Sequence, residues 1–408
     1  MDQAVRRRRR ALFLLFLLAG IAMSSWVTRT PAIRDALDVS TAQMGLILFG
    51  LSLGSMLGII ASGRLVSRTG TRPVIFWATA LLVLGMATIC AGSLMVSIPV
   101  VTAGLSVFGV GMGASDVAAN VDATDVERTS GATTMPALHG CFSLGTVLGA
   151  GAGMGATAAG IPVHWHLAAV TALAVVIFLF APRAVPAGTG RATVDEAAKQ
   201  RGSGPRPAVW KDRKLVLIGG IVLAMALAEG AANDWLPLLM VDGHGMDATL
   251  GSLVYAGFAA SMTLGRFAAS FFLRRFGRAA VMRVSAVTGA LGLLLVIASD
   301  NAVVAGVSVL LWGLGASLGF PLALSAAGES GSDETARVSL VATIGYVAFL
   351  VGPPGLGFLG EHIGLRAAML VVLAFVALAA VIAPAVEPRR PPVGAARRDG
   401  AVGHTPQR

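Results

Sequence analysis

The chain has 408 residues, of which 55% are hydrophobic and only 13% are charged, and its formal net charge is +10. A soluble domain carries about 25% charged residues, so this composition excludes an ordinary soluble protein and predicts one that crosses a membrane many times. The positive charge could indicate a nucleic-acid partner. The basic residues lie between apolar runs without interleaved aromatic residues, however, so we expect no nucleic acid to bind.

Apolar runs of about 20 residues recur along the chain, and each is long enough to cross a bilayer as a helix. Lipid offers the backbone no hydrogen-bond partners, so only helices or closed barrels span it, and long unbroken apolar runs favour helices. Twelve spans are predicted, at about residues 11–29, 42–65, 73–95, 99–122, 134–160, 167–183, 215–240, 249–273, 279–299, 303–327, 337–360 and 365–384.

The twelve predicted spans divide into six plus six around a polar stretch. We therefore predict an all-α membrane protein made of two six-helix bundles with pseudo-two-fold symmetry. The N-terminal bundle covers 1–183, a cytoplasmic central loop covers 184–214, the C-terminal bundle covers 215–386, and a disordered cytoplasmic tail covers 387–408.

The basic residues support an even number of spans. With both termini on one side, that side holds 28 of the 31 Lys and Arg residues, and the other side holds only Arg29, Arg34 and Arg366. Cytoplasmic loops carry the excess of basic residues, so both termini are predicted to be cytoplasmic. Arg6–Arg10 and the apolar run after them resemble a signal peptide, but no small-residue cleavage site follows, so we interpret the run as a retained first span.

The two halves of the sequence resemble each other. Gly111-Met-Gly-Ala-Ser115 in the fourth span recurs as Gly313-Leu-Gly-Ala-Ser317 in the tenth, 202 residues later. The turn over 63–72 has a counterpart at 270–278, at an offset of about 207 residues. Near-constant offsets indicate a duplicated six-helix unit whose equivalent helices point the same way.

Asp116 and Asn120 are four residues apart in the fourth span, which places them on one helix face. A carboxylate inside a membrane helix costs at least a few kcal/mol at the bilayer centre, so it is expected to face a water-filled cavity or a partner. Asp116 is therefore a candidate functional residue. The alternative is that it lies near the cytoplasmic end and only orders the loop that follows.

Glu229 and Asn233 form a second acid–amide pair, about 14 residues into the seventh span. Proton coupling needs a carboxyl group that changes between its charged and neutral forms near neutral pH, and both Asp116 and Glu229 are candidates. The alternative for Glu229 is a structural hydrogen bond to a neighbouring helix.

Several aromatic residues are candidates for solute binding, because an aromatic face stacks well on the C–H face of a sugar ring. Trp312 is predicted to line the cavity. Trp26 and Trp235 lie toward the outer ends of their spans, where Trp is also common as a membrane-interface anchor, so both interpretations stay open. Tyr346 in the eleventh span is a candidate hydroxyl donor.

Two further polar residues have alternative interpretations. Arg29 could hold a carboxylate of the solute or pair with an outer acid such as Asp234. His139, early in the fifth span, could relay protons or serve as a hydrogen-bonded packing residue. The sequence Gly352-Pro-Pro-Gly355 is expected to break the eleventh helix, as a hinge or as a static kink.

The turn between the second and third spans resembles the G-x-x-x-D-R-x-G-R-R loop motif of the major facilitator superfamily. Gly63, Arg68, Gly70 and Arg72 match that motif, and Ser67 stands at the position of its acid. In the family this acid engages a neighbouring helix end and steadies one conformation. The resemblance implies the same fold and a conformational role for the loop, without that particular acid contact.

A closer resemblance, over nearly the whole chain, is to the YbjJ-like and MosC-like bacterial inner-membrane proteins. The segments that carry it are 25–35, 227–245 and 345–354. More distantly, Asp116-Val-Ala-Ala-Asn120 is similar to the E-T-A-A-N-P stretch of fucose permeases, whose acid takes part in proton coupling. Those permeases also carry an acid in their first helix, which this chain lacks. The resemblance implies a cavity lined by the first, fourth, seventh and tenth helices.

The sequence therefore predicts a monomeric secondary carrier of the bacterial inner membrane that works by alternating access and contacts membrane lipids. Our leading hypothesis is proton-linked symport of a small polar, sugar-like solute, with Asp116 and Glu229 as the proton-coupling residues. The alternative is proton-driven efflux of a metabolite or drug. No motif for an enzyme, a cofactor or a metal ion occurs in a suitable context, so none of these is expected.

Overall fold

The computed structural model describes residues 3–131, 134–191, 209–331 and 333–387. Twelve helical segments in this part are long and apolar enough to cross a membrane, so the predicted number of spans is confirmed. The helices are α1 (Gln3–Val27), α2 (Thr30–Leu37), α3 (Thr41–Thr69), α4 (Thr71–Leu94), α5 (Ile98–Ser130), α6 (Met135–Ala158), α7 (Val163–Phe180), α8 (Arg213–His244), α9 (Ala248–Phe276), α10 (Arg278–Ala298), α11 (Ala302–Ala316), α12 (Gly319–Gly328), α13 (Glu334–Ile363) and α14 (Leu365–Ile382).

The tenth span consists of α11 and α12 together, and the short helix α2 lies between the first two spans. Most of the predicted central loop and nearly all of the predicted tail, residues 192–208 and 388–408, lie outside the described residues. The end of the bundle where α1 begins is called the near end below, and the opposite end is called the far end.

Polar residues at N-cap positions explain where several helices begin. Ser40 caps α3 in a capping box: its hydroxyl accepts from the backbone N–H of Gln43, whose side chain accepts from the backbone N–H of Ser40. Side chains of the following residues accept similar bonds at other helix starts: Asp212 before α8, Asp247 before α9, Asn301 before α11 and Asp333 before α13.

The two halves pack in corresponding ways. In the first half α1 packs along α6, and α3 and α4 both pack along α5; in the second half α10 packs along α11 and α14, and α8 packs along α13 and α14. The halves meet where α3 lies along α13 and where α6 lies along α9. These two seams place α1, α3, α8 and α13 around a space between the halves.

A polar contact at the near end repeats in both halves and supports the predicted duplication. The hydroxyl of Thr71 at the start of α4 donates to the carboxylate of Asp122 at 2.8 Å. In the second half Arg278 at the start of α10 donates two hydrogen bonds to Glu329, at 2.6 and 2.7 Å. Both residues of the second pair lie 207 residues after their counterparts, so the same corner of each half is held by an acid.

The first helix begins earlier than the sequence predicted. It starts at Gln3, so the arginine run belongs to the helix and is not a leading loop. Arg8 is buried there and reaches Asp122 at 2.7 Å and Asp125 at 2.8 Å. Burial of this guanidinium is possible because two carboxylates from α5 compensate its charge.

The expected break in the eleventh span is wrong, because α13 continues through Pro353 and Pro354 without interruption. Each proline removes one backbone donor, but membrane helices tolerate this where neighbouring helices surround the site. Here α3 approaches so closely that a Cβ atom on Gly45 would lie 2.8 Å from the carbonyl oxygen of Pro353. Gly45 of α3 and Pro353 of α13 therefore meet in a tight seam between the halves.

Glycine also allows the close approach of α3 and α5 inside the first half. A Cβ atom on Gly54 would lie 2.1 Å from the carbonyl oxygen of Ser106, closer than any real contact allows. By contrast, a Cβ atom on Gly155 of α6 would have nothing within 4 Å. Small residues at such crossings let membrane helices pack backbone to backbone.

We expect Gly54→Ala to lower the thermal unfolding midpoint of the purified protein in detergent, because forcing a methyl group into this contact costs about 1–3 kcal/mol. Gly155→Ala is the matched control. It adds the same methyl group in open space and gains helix propensity, so its midpoint should be unchanged or higher. Equal midpoints for the two variants would contradict the tight crossing.

Candidate functional site

A cavity of about 220 Å³ lies between the two halves. Its walls come from α1 and α3 on one side and from α8 and α13 on the other. The lining residues are Met23, Leu51, Ser52, Ser55, Met56 and Ile59 of the first half, and Gly230, Asn233, Asp234, Tyr346 and Phe349 of the second half. The cavity is therefore mostly apolar, with a few hydroxyl groups, one amide and one carboxylate.

Asp116 lies inside α5, 14 residues before the near end of that helix, yet its side chain is exposed. The amide of Asn120 donates to its carboxylate at 3.2 Å, as the spacing of four predicted. Asp116 is also in electrostatic contact with His139 of α6 and with Tyr346 of α13. A carboxylate at this depth needs water or a partner to offset the cost of its charge, and the exposed side chain of Asp116 leaves room for water beside Asn120.

Glu229 is paired with Arg266 of α9, whose guanidinium donates to the carboxylate at 3.0 Å. Two further oxygens lie 3.5 Å from this guanidinium: the carbonyl of Ser317 and the hydroxyl of Ser143. Ser143 belongs to the first half, so the pair sits where the halves meet. This arrangement agrees with the alternative interpretation of Glu229, in which its carboxylate makes a structural hydrogen bond to a neighbouring helix.

The position of Arg266 differs from the one predicted from the sequence. It was counted among the basic residues of the near end, but it lies within α9, ten residues before that helix ends. His139 is in electrostatic contact with it as well as with Asp116. The signal was present in the sequence, because Arg266 is the only charged residue between Asp247 and Arg274. An isolated charge in an apolar run indicates a function or a partner.

Asn233 lines the cavity and accepts a hydrogen bond from the hydroxyl of Tyr255 at 3.1 Å. The structure thus brings together five of the predicted site residues on facing helices: Asp116, Asn120, His139, Asn233 and Tyr346. Glu229 lies in the same region of α8, one turn before Asn233.

The predicted tryptophans lie in the protein interior. Trp312 is fully buried, edge-on to Phe258 at 5.7 Å between ring centres, and does not line the cavity. Trp26 and Trp235 are 1% and 0% exposed, so neither is a membrane-interface anchor. Solute contact by Trp26 or Trp312 stays a prediction.

Arg29 is buried at the far end and hydrogen-bonds within the first half. It donates to the hydroxyl of Thr157 at 2.8 Å and to the carbonyl oxygen of Ile161. No contact with the carboxylate of Asp234 is formed, so the expected pairing of these two residues is absent.

The residues of the predicted loop motif lie at the near end, between α3 and α4. Gly70 adopts a φ of +88°, which favours glycine, and connects the two helices directly. Arg68, Arg72 and Gly63 are exposed. Ser67, at the acid position, donates a hydrogen bond to a carbonyl within its own helix. A conformational role for these residues stays a prediction.

At the far end, polar contacts join the two halves. Arg34 of α2 forms an ion pair with Asp242 near the end of α8. The carboxylate of Glu361 near the end of α13 accepts from the backbone N–H of Ala42 at the start of α3, at 3.2 Å. The halves are therefore closed together on this side of the cavity.

The sequence profile of the Major Facilitator Superfamily matches residues 12–338. The chain belongs to this superfamily. It is therefore a membrane transporter and not an enzyme, as the sequence predicted. An uncharacterized transporter of Sinorhizobium fredii, y4wD, is 32% identical over 91% of this chain and 96% of its own length. The membrane protein MosC of Rhizobium meliloti is 25% identical over 88% and 85%.

Solved structures of the superfamily share the fold. A D-xylose-proton symporter superposes with a TM-score of 0.78, at 13% identity, over 95% of this chain and 98% of its own. A variant of the Escherichia coli fucose:proton symporter FucP superposes with a TM-score of 0.64, at 17% identity, over 93% and 98%. At these identities the likeness establishes the architecture of the transporter alone.

We expect Glu229→Gln and Arg266→Gln, each alone, to lower the thermal unfolding midpoint in detergent. Each single change leaves the opposite charge unpaired within the helix bundle. The expected cost is up to about 3 kcal/mol, which is less than for a fully buried pair because both side chains keep some solvent contact. The double variant removes both charges and should recover most of the lost stability.

The control is Asp300→Asn. It removes the partner of Arg366 in an ion pair whose carboxylate is 94% exposed, and such pairs contribute little. A double variant as unstable as the sum of the single variants would show that Glu229 and Arg266 act independently.

Proposed function

We propose that this transporter carries a small polar solute across the bacterial inner membrane together with protons, by alternating access. The observation that carries the proposal is Asp116, an exposed carboxylate inside a membrane helix that interacts electrostatically with His139 of its own half and with Tyr346 of the opposite half. Charged groups at this depth in membrane proteins mark ion and proton pathways.

The cavity supports a small polar solute. Its volume of about 220 Å³ fits a small molecule, and hydroxyls from α3 face an amide on α8 across it. Pockets of this kind use apolar walls for contact area and a few polar groups for orientation. The superposed proteins named as D-xylose-proton and fucose:proton symporters agree with a sugar-like solute and with proton coupling.

Glu229 and Arg266 supply a second element of coupling. Protonation of Glu229 removes its charge, which weakens its hold on Arg266 and frees the guanidinium to move toward other acids. Arg266 is already 3.5 Å from Ser143 of the opposite half and in electrostatic contact with His139. A proton on Glu229 therefore changes a contact between the halves, which is what coupling to alternating access requires.

In the proposed orientation the near end is cytoplasmic and the far end is outside, since the near end carries the excess of basic residues. The ion pair of Arg34 with Asp242 and the hydrogen bond of Ala42 with Glu361 then close the outer side. In this orientation the described conformation is closed toward the outside. Outward opening requires these contacts to break.

We expect Asp116→Asn to abolish solute accumulation driven by a proton gradient, because the amide cannot take up and release a proton. The assay uses purified protein in liposomes with an internal pH-sensitive dye and a panel of sugars, polyols, sugar acids and amino acids. Solute-triggered acidification should appear with the unchanged protein and vanish in the variant, while exchange of solute across the membrane survives.

Asp38→Asn is the matched control, because Asp38 is exposed at the far end and its left-handed backbone (φ +52°) suits asparagine equally well. Accumulation that persists in Asp116→Asn would overturn the proton-coupling role. Efflux of the panel compounds driven by an inward proton gradient would favour the opposite direction of transport.

We expect Asp242→Asn to shift the transporter toward the outward-open conformation. The change weakens a partly exposed ion pair by up to about 1 kcal/mol, which corresponds to a roughly fivefold change in the conformational equilibrium. The measurement is the rate at which a membrane-impermeant maleimide, added outside, labels Ser52→Cys in a background without Cys90 and Cys141. A rate equal to that of the Asp38→Asn control would contradict a closing role for the pair.

A further inference from the structure

Asp234 is a second carboxylate at the cavity, and the proposed proton pathway does not use it. It lies on α8, lines the cavity and is only 7% exposed. No hydrogen-bond donor and no basic side chain among the described residues contacts its carboxylate. It is therefore a buried, unpartnered acid aimed into a space between the two halves.

A buried carboxylate without a partner is costly in free energy, and proteins retain one where a cation or a proton can bind. The basic residues that could serve are engaged elsewhere. Arg266 donates to Glu229, five residues before Asp234, and Arg29 donates to Thr157 and to the carbonyl of Ile161. Among the described residues no basic side chain compensates the ionised form of Asp234, so its positive partner is a proton or a cation that enters the cavity.

The surroundings of Asp234 suit an organic cation that carries hydroxyl groups. Tyr346 and Phe349 of α13 line the same cavity and offer aromatic faces, to which ammonium groups are attracted. Ser52 and Ser55 of α3 add hydroxyls that can bond to hydroxyl groups of a solute. A cavity of about 220 Å³ admits a small molecule only.

The aromatic wall is built by close packing at the same turn of α8. A Cβ atom on Gly230 would lie 3.0 Å from Cδ1 of Phe349, which is a tight contact, so glycine lets this ring lie close against the helix that carries Asp234. The carboxylate and the aromatic ring thus come from facing helices, α8 and α13, and line one cavity.

We propose that Asp234 binds the ammonium group of the transported solute, which assigns the substrate class to small hydroxylated amines. This inference rests on the proposed transport through the cavity. In it Asp116 keeps the proton-coupling role, in the exposed cleft, while Asp234 holds the cationic group of the solute in the buried part, where an ion pair is screened least.

The test compares amines with neutral molecules of the same shape. Purified protein in sodium-free detergent buffer near neutral pH is titrated with D-glucosamine, D-galactosamine and ethanolamine, and in parallel with D-glucose, D-galactose and ethylene glycol. Binding is measured by calorimetry and by thermal stabilisation. At least one amine should bind about tenfold or more tightly than its neutral counterpart, since a desolvated charge pair contributes at least this much.

The preference should disappear in Asp234→Asn, which keeps the size of the side chain, and persist in Asp38→Asn and in Asp116→Asn. Neutral molecules that bind as well as the amines, or an amine preference that survives in Asp234→Asn, would overturn the proposal. The absence of detectable binding for every amine, with protein shown to be folded, would also overturn the proposal. Stabilisation by Na⁺ alone that is lost in Asp234→Asn would reassign the carboxylate to a sodium ion.

Failure here is distinguishable from failure of the proposed function. A neutral sugar that triggers proton entry into liposomes, without any advantage for amines, would overturn the role of Asp234 and leave proton-coupled transport intact. Amine binding without proton entry would overturn proton-coupled transport and leave the role of Asp234 intact.

Discussion

The ion pair between Arg266 and Glu229 is the electrostatic constraint on which the proposed transport site depends. Within an apolar bundle a lone charge is costly, so each charge needs water, a partner or a ligand. Arg266 satisfies Glu229 and reaches Ser143 in the opposite half. Because this guanidinium is committed to Glu229, it neutralises neither Asp116, which accepts a hydrogen bond from Asn120, nor Asp234. The position of Arg266 thus determines which carboxylates lack a basic partner among the described residues.

The two halves share a helix scaffold, but their functional side chains differ. Thr71 and Gly70 have counterparts 207 residues later in Arg278 and Gly277, and both glycines turn the chain with a positive φ. In the register of the repeated Gly-x-Gly-Ala-Ser segment, by contrast, the residue that corresponds to Asp116 is Leu318. Duplication therefore explains the scaffold and the two near-end contacts. Asp116 and Asp234 therefore each occur in one half only, which in the proposed mechanism lets one act on protons and the other on solute.

The sequence was sufficient for the spans because an apolar run of 20 residues has one stable arrangement in lipid. The acid–amide spacing of Asp116 likewise predicted a local contact. The failures were long-range. Arg8 is helical and buried only because α5 supplies carboxylates 114 or more residues later. The continuity of α13 through Pro353 depends on how tightly α3 packs against it, and the partner of Glu229 lies on a different helix. None of these contacts leaves a periodic pattern in the sequence.

The different surroundings of the two free acids bear on how proton and solute can be linked in the proposed mechanism. Asp116 is exposed and lies on α5, which contributes no residue to the cavity, whereas Asp234 is buried and lines the cavity. A proton can exchange at Asp116 through water while the far end stays closed. In the proposed mechanism a cation bound at Asp234 lies beside Tyr346 and Phe349, and alternating access releases it when the halves move. Tyr346 lines the cavity and interacts electrostatically with Asp116, so a change of charge at Asp116 acts on a residue of the cavity that contains Asp234. Coupling would then need no direct contact between proton and solute, only this shared wall.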